Sequence, residues 1–141
     1  MVCIDANVWI YYFDATLPEH EPVADRLDTL EADTLFVTSV LQMEVVHYLA
    51  NQQSESEHLV SQFLDLNDVT TVPLTTADVR RASDILHEYA NSGIGGRDAS
   101  VLAAMDRCGV DTLWTHDAAF RTVAAELGVR VVDPVEENAE T

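Results

Sequence analysis

Met1-Val-Cys-Ile-Asp5-Ala-Asn7 decides how this chain reads. The apolar run Val2 to Ile4 ends abruptly in an aspartate. Two residues on, Asn7 opens a second apolar stretch, Val8 to Phe13. A buried strand running into a helix fits this pattern, with Asp5 at the strand's carboxyl end. In open α/β sheets that edge is where ligands bind. A carboxylate there is costly to bury without a partner. Asp5 can serve as the helix N-cap beside Asn7, or it can be one member of a site.

Outward from this start, strands and helices alternate. Pro18 to Ala32 reads as an amphipathic helix, with Val23, Leu27 and Leu30 on one face. Thr34 to Thr38 reads as a strand, and Ser39 as the N-cap of a helix to about Asn51. A helix is expected from Ser54, carrying Leu59, Phe63 and Leu64. Val69 to Leu74 is a third strand. Thr75-Thr-Ala-Asp78 has the form of a capping box and opens a helix to about Asn91. Ser92-Gly-Ile-Gly-Gly96 is the clearest loop. Arg97 to Cys108 is helical and closed by Gly109. Asp111 to Thr115 is a fourth strand, Asp117 to Leu127 a helix, and Val129 to Val132 a fifth strand. This alternation predicts an α/β domain with a mainly parallel sheet covered on both faces. Residues 1–135 are read as a single domain, and 136–141 as an acidic tail predicted to fray.

The 141 residues carry a net charge of −18. Every basic residue is an arginine, and lysine is absent. This composition resembles a salt-in, halophilic surface; an ordinary protein made for a basic partner is the alternative. At about 1 M salt the Debye length falls to about 3 Å, so the acidity does not exclude a nucleic-acid partner. Local groups, not a basic face, must then hold any phosphate. No apolar run approaches the roughly 20 residues of a membrane span, and Asp5 interrupts any leader-like start. A cytoplasmic protein is expected, with Cys3 and Cys108 as buried free thiols.

Most of the 25 acidic residues must be solvated, so the informative ones lie where apolar neighbours are expected. Asp5 is one. Glu44 shares a mixed helical stripe with Val40, His47, Tyr48 and Asn51, which a solvated face would also explain. Asp98 is sharper: Arg97, Ser100 and Arg107 cluster on one side of its helix. Asp98 falls nearly opposite, in line with Leu102 and Met105. It faces inward, or it caps the helix start. Asp117 follows the fourth strand as Asp5 follows the first, and can cap the next helix. Two acids ending parallel strands lie on one edge of the sheet. If all four converge, their oxygens favour a hard cation such as Mg²⁺ or Mn²⁺.

The order and context of these residues resemble the PIN-domain nucleases, especially the VapC-type toxins of prokaryotic toxin–antitoxin pairs. The matching pieces are Ile4-Asp5-Ala6-Asn7, Thr38-Ser39 followed by Glu44, Gly96-Arg97-Asp98-Ala99 with Ala103-Ala104 behind it, and Thr115-His116-Asp117 with Phe120 beyond. Val131-Val132-Asp133-Pro134 resembles the family's closing strand. Together with the composition, the resemblance points to a halophilic archaeal member.

The resemblance implies a PIN-like three-layer fold whose five-stranded parallel sheet has the order 3-2-1-4-5. It implies that Asp5, Glu44, Asp98 and Asp117 hold one or two Mg²⁺ or Mn²⁺ ions, steadied by Asn7, Ser39 and Thr115. It further implies an RNA substrate, a small antitoxin whose basic side chain enters the acidic pocket, and a homodimer. Asp117 or Asp98 is the candidate general base. Arg97 is a candidate contact for a substrate phosphate, or else a solvated helix-start arginine. His116 reads as a simple loop histidine, and His20, His47, His58 and His87 take no role. Competing readings are a housekeeping RNA-processing nuclease, a non-catalytic interaction module, and phosphoryl transfer through Asp5. The last usually employs a lysine, which this chain lacks.

Overall fold

The strand after Met1 sits at the middle of the sheet. The computed structural model describes residues 1–52 and 56–136. β1 (Val2–Ile4) pairs in parallel with β2 (Leu35–Thr38) on one side and β4 (Thr112–Trp114) on the other. β3 (Thr70–Val72) and β5 (Arg130–Val132) form the edges, giving the order β3-β2-β1-β4-β5. This is the order the family resemblance implies.

Burial follows that order. Cys3, Ile4 and all four residues of β2 are buried, whereas β5 presents Arg130 to solvent. Parallel strands covered on both faces read as continuous apolar runs, which is why β1 and β2 stand out in the sequence.

The chain leaves β1 through α1 (Ala6–Phe13) and α2 (His20–Leu27) to reach β2. It continues through α3 (Ser39–Ala50) and α4 (Ser56–Leu64) to β3. It then crosses back through α5 (Thr76–Glu88) and α6 (Gly96–Cys108) to β4, and through α7 (Ala118–Glu126) to β5. The direction of winding reverses between β1 and β4. Asp5 and the segment Thr115 to Asp117 leave the sheet there, at its carboxyl edge. None of the described helices is long and apolar enough to cross a membrane.

Two packing features hold the layers. Trp9, 1 % exposed, meets Phe63 edge-on at 5.4 Å and stacks on Phe13 at 6.2 Å, joining α1 to α4. Such aromatic pairs add about 1 kcal/mol each beyond their burial. On the other face, the predicted capping box of α5 is present. Asp78 accepts from Thr75 N at 3.0 Å, and Thr75 Oγ1 accepts from Asp78 N at 3.2 Å. Arg107, at the far end of α6, donates to both Asp78 oxygens at 2.8 and 3.0 Å. One buried carboxylate thus caps α5 and fastens it to α6.

Several sequence expectations are corrected. α2 is shorter than Pro18 to Ala32, because the chain turns at Asp28: Thr29 N donates to Arg26 O and Leu30 N to Leu27 O. A separate 3-10 turn follows at Ala32–Thr34. Thr38, not Ser39, caps α3: Thr38 is still extended, and its hydroxyl accepts from Leu41 N. α5 stops at Glu88, short of Asn91, with Tyr89 as its C-cap.

Ser100, placed on the polar side of α6, is 7 % exposed. Its hydroxyl returns to Arg97 O at 2.6 Å. Asp98 through Met105 are all buried, because α6 lies beneath α5. Cys3 is buried but Cys108 is exposed, near the end of α6. The predicted helix start at Ser54 and most of the tail lie outside the described residues.

Candidate functional site

Asp5 is 2 % exposed and continues the sheet by donating its N–H to Trp114 O at 3.0 Å. Its side chain takes the capping role and also reaches across to the neighbouring strand end. Oδ1 accepts from Ala6 N at 2.7 Å, capping α1. Oδ2 accepts from Thr115 Oγ1 at 2.6 Å, at the reversal between β1 and β4. Burial pushes the Asp5 carboxyl up to about 6. The bonds from Thr115 and Ala6 pull it back, the Asp98 charge raises it further, and Arg97 lowers it.

Thr115 is fully buried and ties the edge together. Besides donating to Asp5, its hydroxyl oxygen accepts from Asp117 N at 3.1 Å and Asn7 Nδ2 at 3.5 Å. Asn7 Oδ1 in turn accepts from His116 N at 3.5 Å. Asp117 caps α7 through Phe120 N at 3.1 Å and stays half-buried.

Asp98, in the first turn of α6, is 5 % exposed. Burial raises its carboxyl above the ordinary value, Arg97 opposes this, and the Asp117 charge adds to it. The inward direction read from the helical spacing is the observed one. Glu44 lies on α3 with its side chain 32 % exposed. Arg97 Nη1 pairs with Glu44 Oε1, and Arg97 Nη2 with Asp98 Oδ1 at 2.8 Å. Arg97 is also held by the charges of Asp5 and Asp117. The structure therefore gathers Asp5, Asp98 and Asp117 at one edge and links Glu44 to them through Arg97.

A groove of about 530 Å³ opens beside this cluster, lined by Asn7, Ile10, Glu44, His47, Tyr48 and Arg97. A smaller cavity of about 220 Å³ lies at the opposite edge of the sheet, among Ile85, Leu102, Met105 and Val110. It is remote from Asp5 and is mainly a gap between α6 and the strand starts.

The donor set suits a hard divalent cation: carboxylate oxygens only, two of them on buried side chains whose pKa burial raises above the ordinary value. Among the described residues, however, no three His, Cys, Asp or Glu side chains already form a metal-holding group. The guanidinium of Arg97 stands between Glu44 and Asp98 instead. Oxygen chemistry and charge fit the ion; the side chains as they lie are arranged around an arginine.

Ser39 is exposed at the start of α3, and no bond joins it to the acids among the described residues. His116 lies in the loop before α7, as expected, and its Nδ1 is 2.8 Å from Asp133 Oδ2. Asp133, 2 % exposed, also accepts from Val135 N at 3.0 Å and faces Arg121 at 3.6 Å. The sequence places it only in the closing-strand motif and gives it no role of its own. Yet it follows β5 as Asp5 follows β1, and that parallel was the available signal.

The family model for the PIN domain matches residues 2–126, and the chain belongs to that family. It is similar to two ribonucleases of Mycobacterium tuberculosis. With VapC26 it is 28 % identical over 115 residues, covering 81 % of this chain and 84 % of the relative. With VapC23 it is 29 % identical over 128 residues, covering 86 % and 100 %.

Among solved structures it resembles FitAcB from Neisseria gonorrhoeae, with a TM-score of 0.75 at 18 % identity, covering 95 % of this chain and 98 % of that one. It also resembles Mycobacterium tuberculosis VapC20, described as a sarcin–ricin loop cleaving toxin. There the TM-score is 0.74 at 14 % identity, covering 86 % and 94 %. A toxin–antitoxin complex from Klebsiella pneumoniae matches with a TM-score of 0.69 at 17 % identity, covering 95 % and 98 %. These structural likenesses concern the fold.

Proposed function

We propose that this chain is a Mg²⁺- or Mn²⁺-dependent endoribonuclease acting as the toxin of a type II, VapBC-like pair. The observation that carries the reading is the gathering of Asp5, Asp98 and Asp117, with Glu44 linked through Arg97, at the reversal point of a PIN sheet. Relatives named as ribonucleases support the reaction class. Structural neighbours solved as toxin–antitoxin complexes support a small antitoxin partner.

Asp5, Glu44, Asp98 and Asp117 would hold the metal. When bound, the ion supplies a water of lowered pKa and positive charge for the phosphate oxygens. The side chains do the rest. Thr115 fixes the Asp5 carboxylate by a charge-assisted bond, and Asn7 steadies Thr115. Ser39, exposed, would act through water. Asp117 or Asp98 takes the proton of the attacking water, which displaces one ester oxygen from phosphorus. Arg97 offers its guanidinium to a substrate phosphate.

Single-stranded or looped RNA suits a recessed site, because its backbone can reach in where a duplex cannot. Exposed Met43, Leu74 and Val79 on and near α3 and α5 favour a homodimer. The extreme acidity favours a salt-rich cytoplasm.

The test is incubation of the purified chain with total RNA in high salt, with Mn²⁺ or with a chelator. Cleavage with metal and none with chelator is expected. Metal-independent cleavage, or none under either condition, overturns the reading.

A further inference from the structure

Arg97 lies across the acidic pocket. Its Nε and Nη2 both donate to Asp98 Oδ1, at 3.1 and 2.8 Å. Its Nη1 holds Glu44 Oε1 on a different helix. Asp5 and Asp117 lie within its field. One spread-out positive charge therefore answers four carboxylates, and two of its three nitrogens converge on one oxygen of a buried acid. A divalent cation held by Asp98 and Glu44 would compete with the guanidinium for the same two carboxylates.

Resting on the metal-dependent reading above, we propose that Arg97 is a displaceable counter-ion of the site. As the side chains lie, its guanidinium joins Glu44 to Asp98. A divalent cation held by these carboxylates would replace the guanidinium as their counter-charge, and the released arginine would be free for substrate phosphate.

The surroundings permit the exchange. The Arg97 side chain is 40 % exposed, so its release does not unpack the core. It stands between two openings, the groove with Asn7 and Glu44 and a second one with Val40, Leu74 and Ser100. Glu44 is exposed enough to re-aim. Asp98, fixed in the first turn of a buried helix, stays in place as the guanidinium leaves. The exchange substitutes a compact double charge for a diffuse single one beside the carboxylates that Arg97 now answers. Arg97 thus sets how readily the site accepts its ion, and it is a positioning residue for the phosphate afterwards.

The test is calorimetric titration of the full-length chain with Mn²⁺ in high salt, beside thermal melts with and without the ion. Arg97→Ala should bind Mn²⁺ about tenfold tighter than the unaltered chain. Arg97→Lys keeps a positive charge but not the forked bridge, and should fall between the two. Arg130→Ala, which removes the same charge from the exposed end of β5, should bind as the unaltered chain does. Metal-free Arg97→Ala should melt lower than the unaltered chain, and saturating Mn²⁺ should close that gap.

Equal or weaker Mn²⁺ binding by both Arg97 variants, while the unaltered chain binds, overturns the counter-ion alone. Equal tightening in Arg130→Ala also overturns it, by reducing the effect to net charge. Failure of every variant to bind Mn²⁺ overturns the metal-dependent reading and the counter-ion with it.

Discussion

Thr115 Oγ1 donates to Asp5 Oδ2 at 2.6 Å, joining the ends of two strands 110 residues apart in the chain. The same oxygen accepts the N–H of Asp117 at 3.1 Å, so one buried hydroxyl sets the spacing of two candidate metal ligands. Thr115→Val keeps the shape and removes these two bonds and the one from Asn7 Nδ2. Cleavage by Thr115→Val should fall about 10- to 100-fold, while Thr115→Ser retains most activity. Single-turnover rates at saturating Mn²⁺ would measure this, and unchanged rates in Thr115→Val would remove Thr115 from the site.

The raised pKa of Asp5 has a consequence for stability. Its carboxyl lies at about 6 in the folded chain against 3.8 for an unperturbed aspartate. The folded state therefore binds more protons than the unfolded state between those values. By linkage the metal-free protein loses stability as pH rises from about 4 to about 6, by up to roughly 3 kcal/mol, and nothing further from Asp5 above that. Asp5→Asn removes the charge and keeps an oxygen for Ala6 N and a polar group for Thr115. Metal-free Asp5→Asn should thus melt higher than the unaltered chain at pH 7 and show no such advantage at pH 4. Its cleavage activity should be abolished. Melting curves across pH in chelator would decide it, and a variant that melts lower at pH 7 would sink the argument.

Asp78 shows the opposite sign. The bonds from Arg107 hold its carboxyl below the ordinary value, against burial and with help from Thr75. Its contribution is present at neutral pH and is lost as pH falls through the folded-state pKa. Asp78→Ala removes the α5 cap and leaves Arg107 without its partner, at a cost of about 2 kcal/mol. Denaturant unfolding at pH 7 should show that loss, while RNA cleavage by the folded fraction is retained. The deficit should shrink towards pH 3.

These residues also mark what the sequence could reveal. The capping box at Thr75 to Asp78 is local, and four consecutive residues disclose it. Its clamp to Arg107 joins positions 29 apart, for which no periodicity gives a signal. Asp98's inward direction was legible because the regular helix from Arg97 to Cys108 sets its phase. The choice between Thr38 and Ser39 as cap was not: both can cap, and the choice depends on where the extended backbone ends. The sheet order came through the family resemblance, since alternation of strands and helices dictates parallel pairing but not sequence of neighbours. Arg97 was visible beside Asp98, but its bond to Glu44 spans 53 positions and needed the fold.

Asp98 offers the most direct test of the site, because its surroundings separate charge from shape. It is buried in the first turn of α6, and its carboxyl is raised by burial and by the Asp117 charge. Asp98→Asn is nearly isosteric and leaves Oδ1 to accept from Arg97 at 2.8 Å. It removes one negative charge from the cluster, which relieves a repulsion in the metal-free chain and withdraws a ligand from the ion. The metal-free variant should therefore melt no lower than the unaltered chain at pH 7. Its Mn²⁺ affinity and its cleavage rate should each fall at least about 100-fold. Glu44→Gln, on a half-exposed side chain that can re-aim, should lose less of both. Calorimetry and single-turnover cleavage on the same preparations would compare the two variants. Full cleavage by Asp98→Asn would show that the reaction does not depend on the charge of this carboxylate.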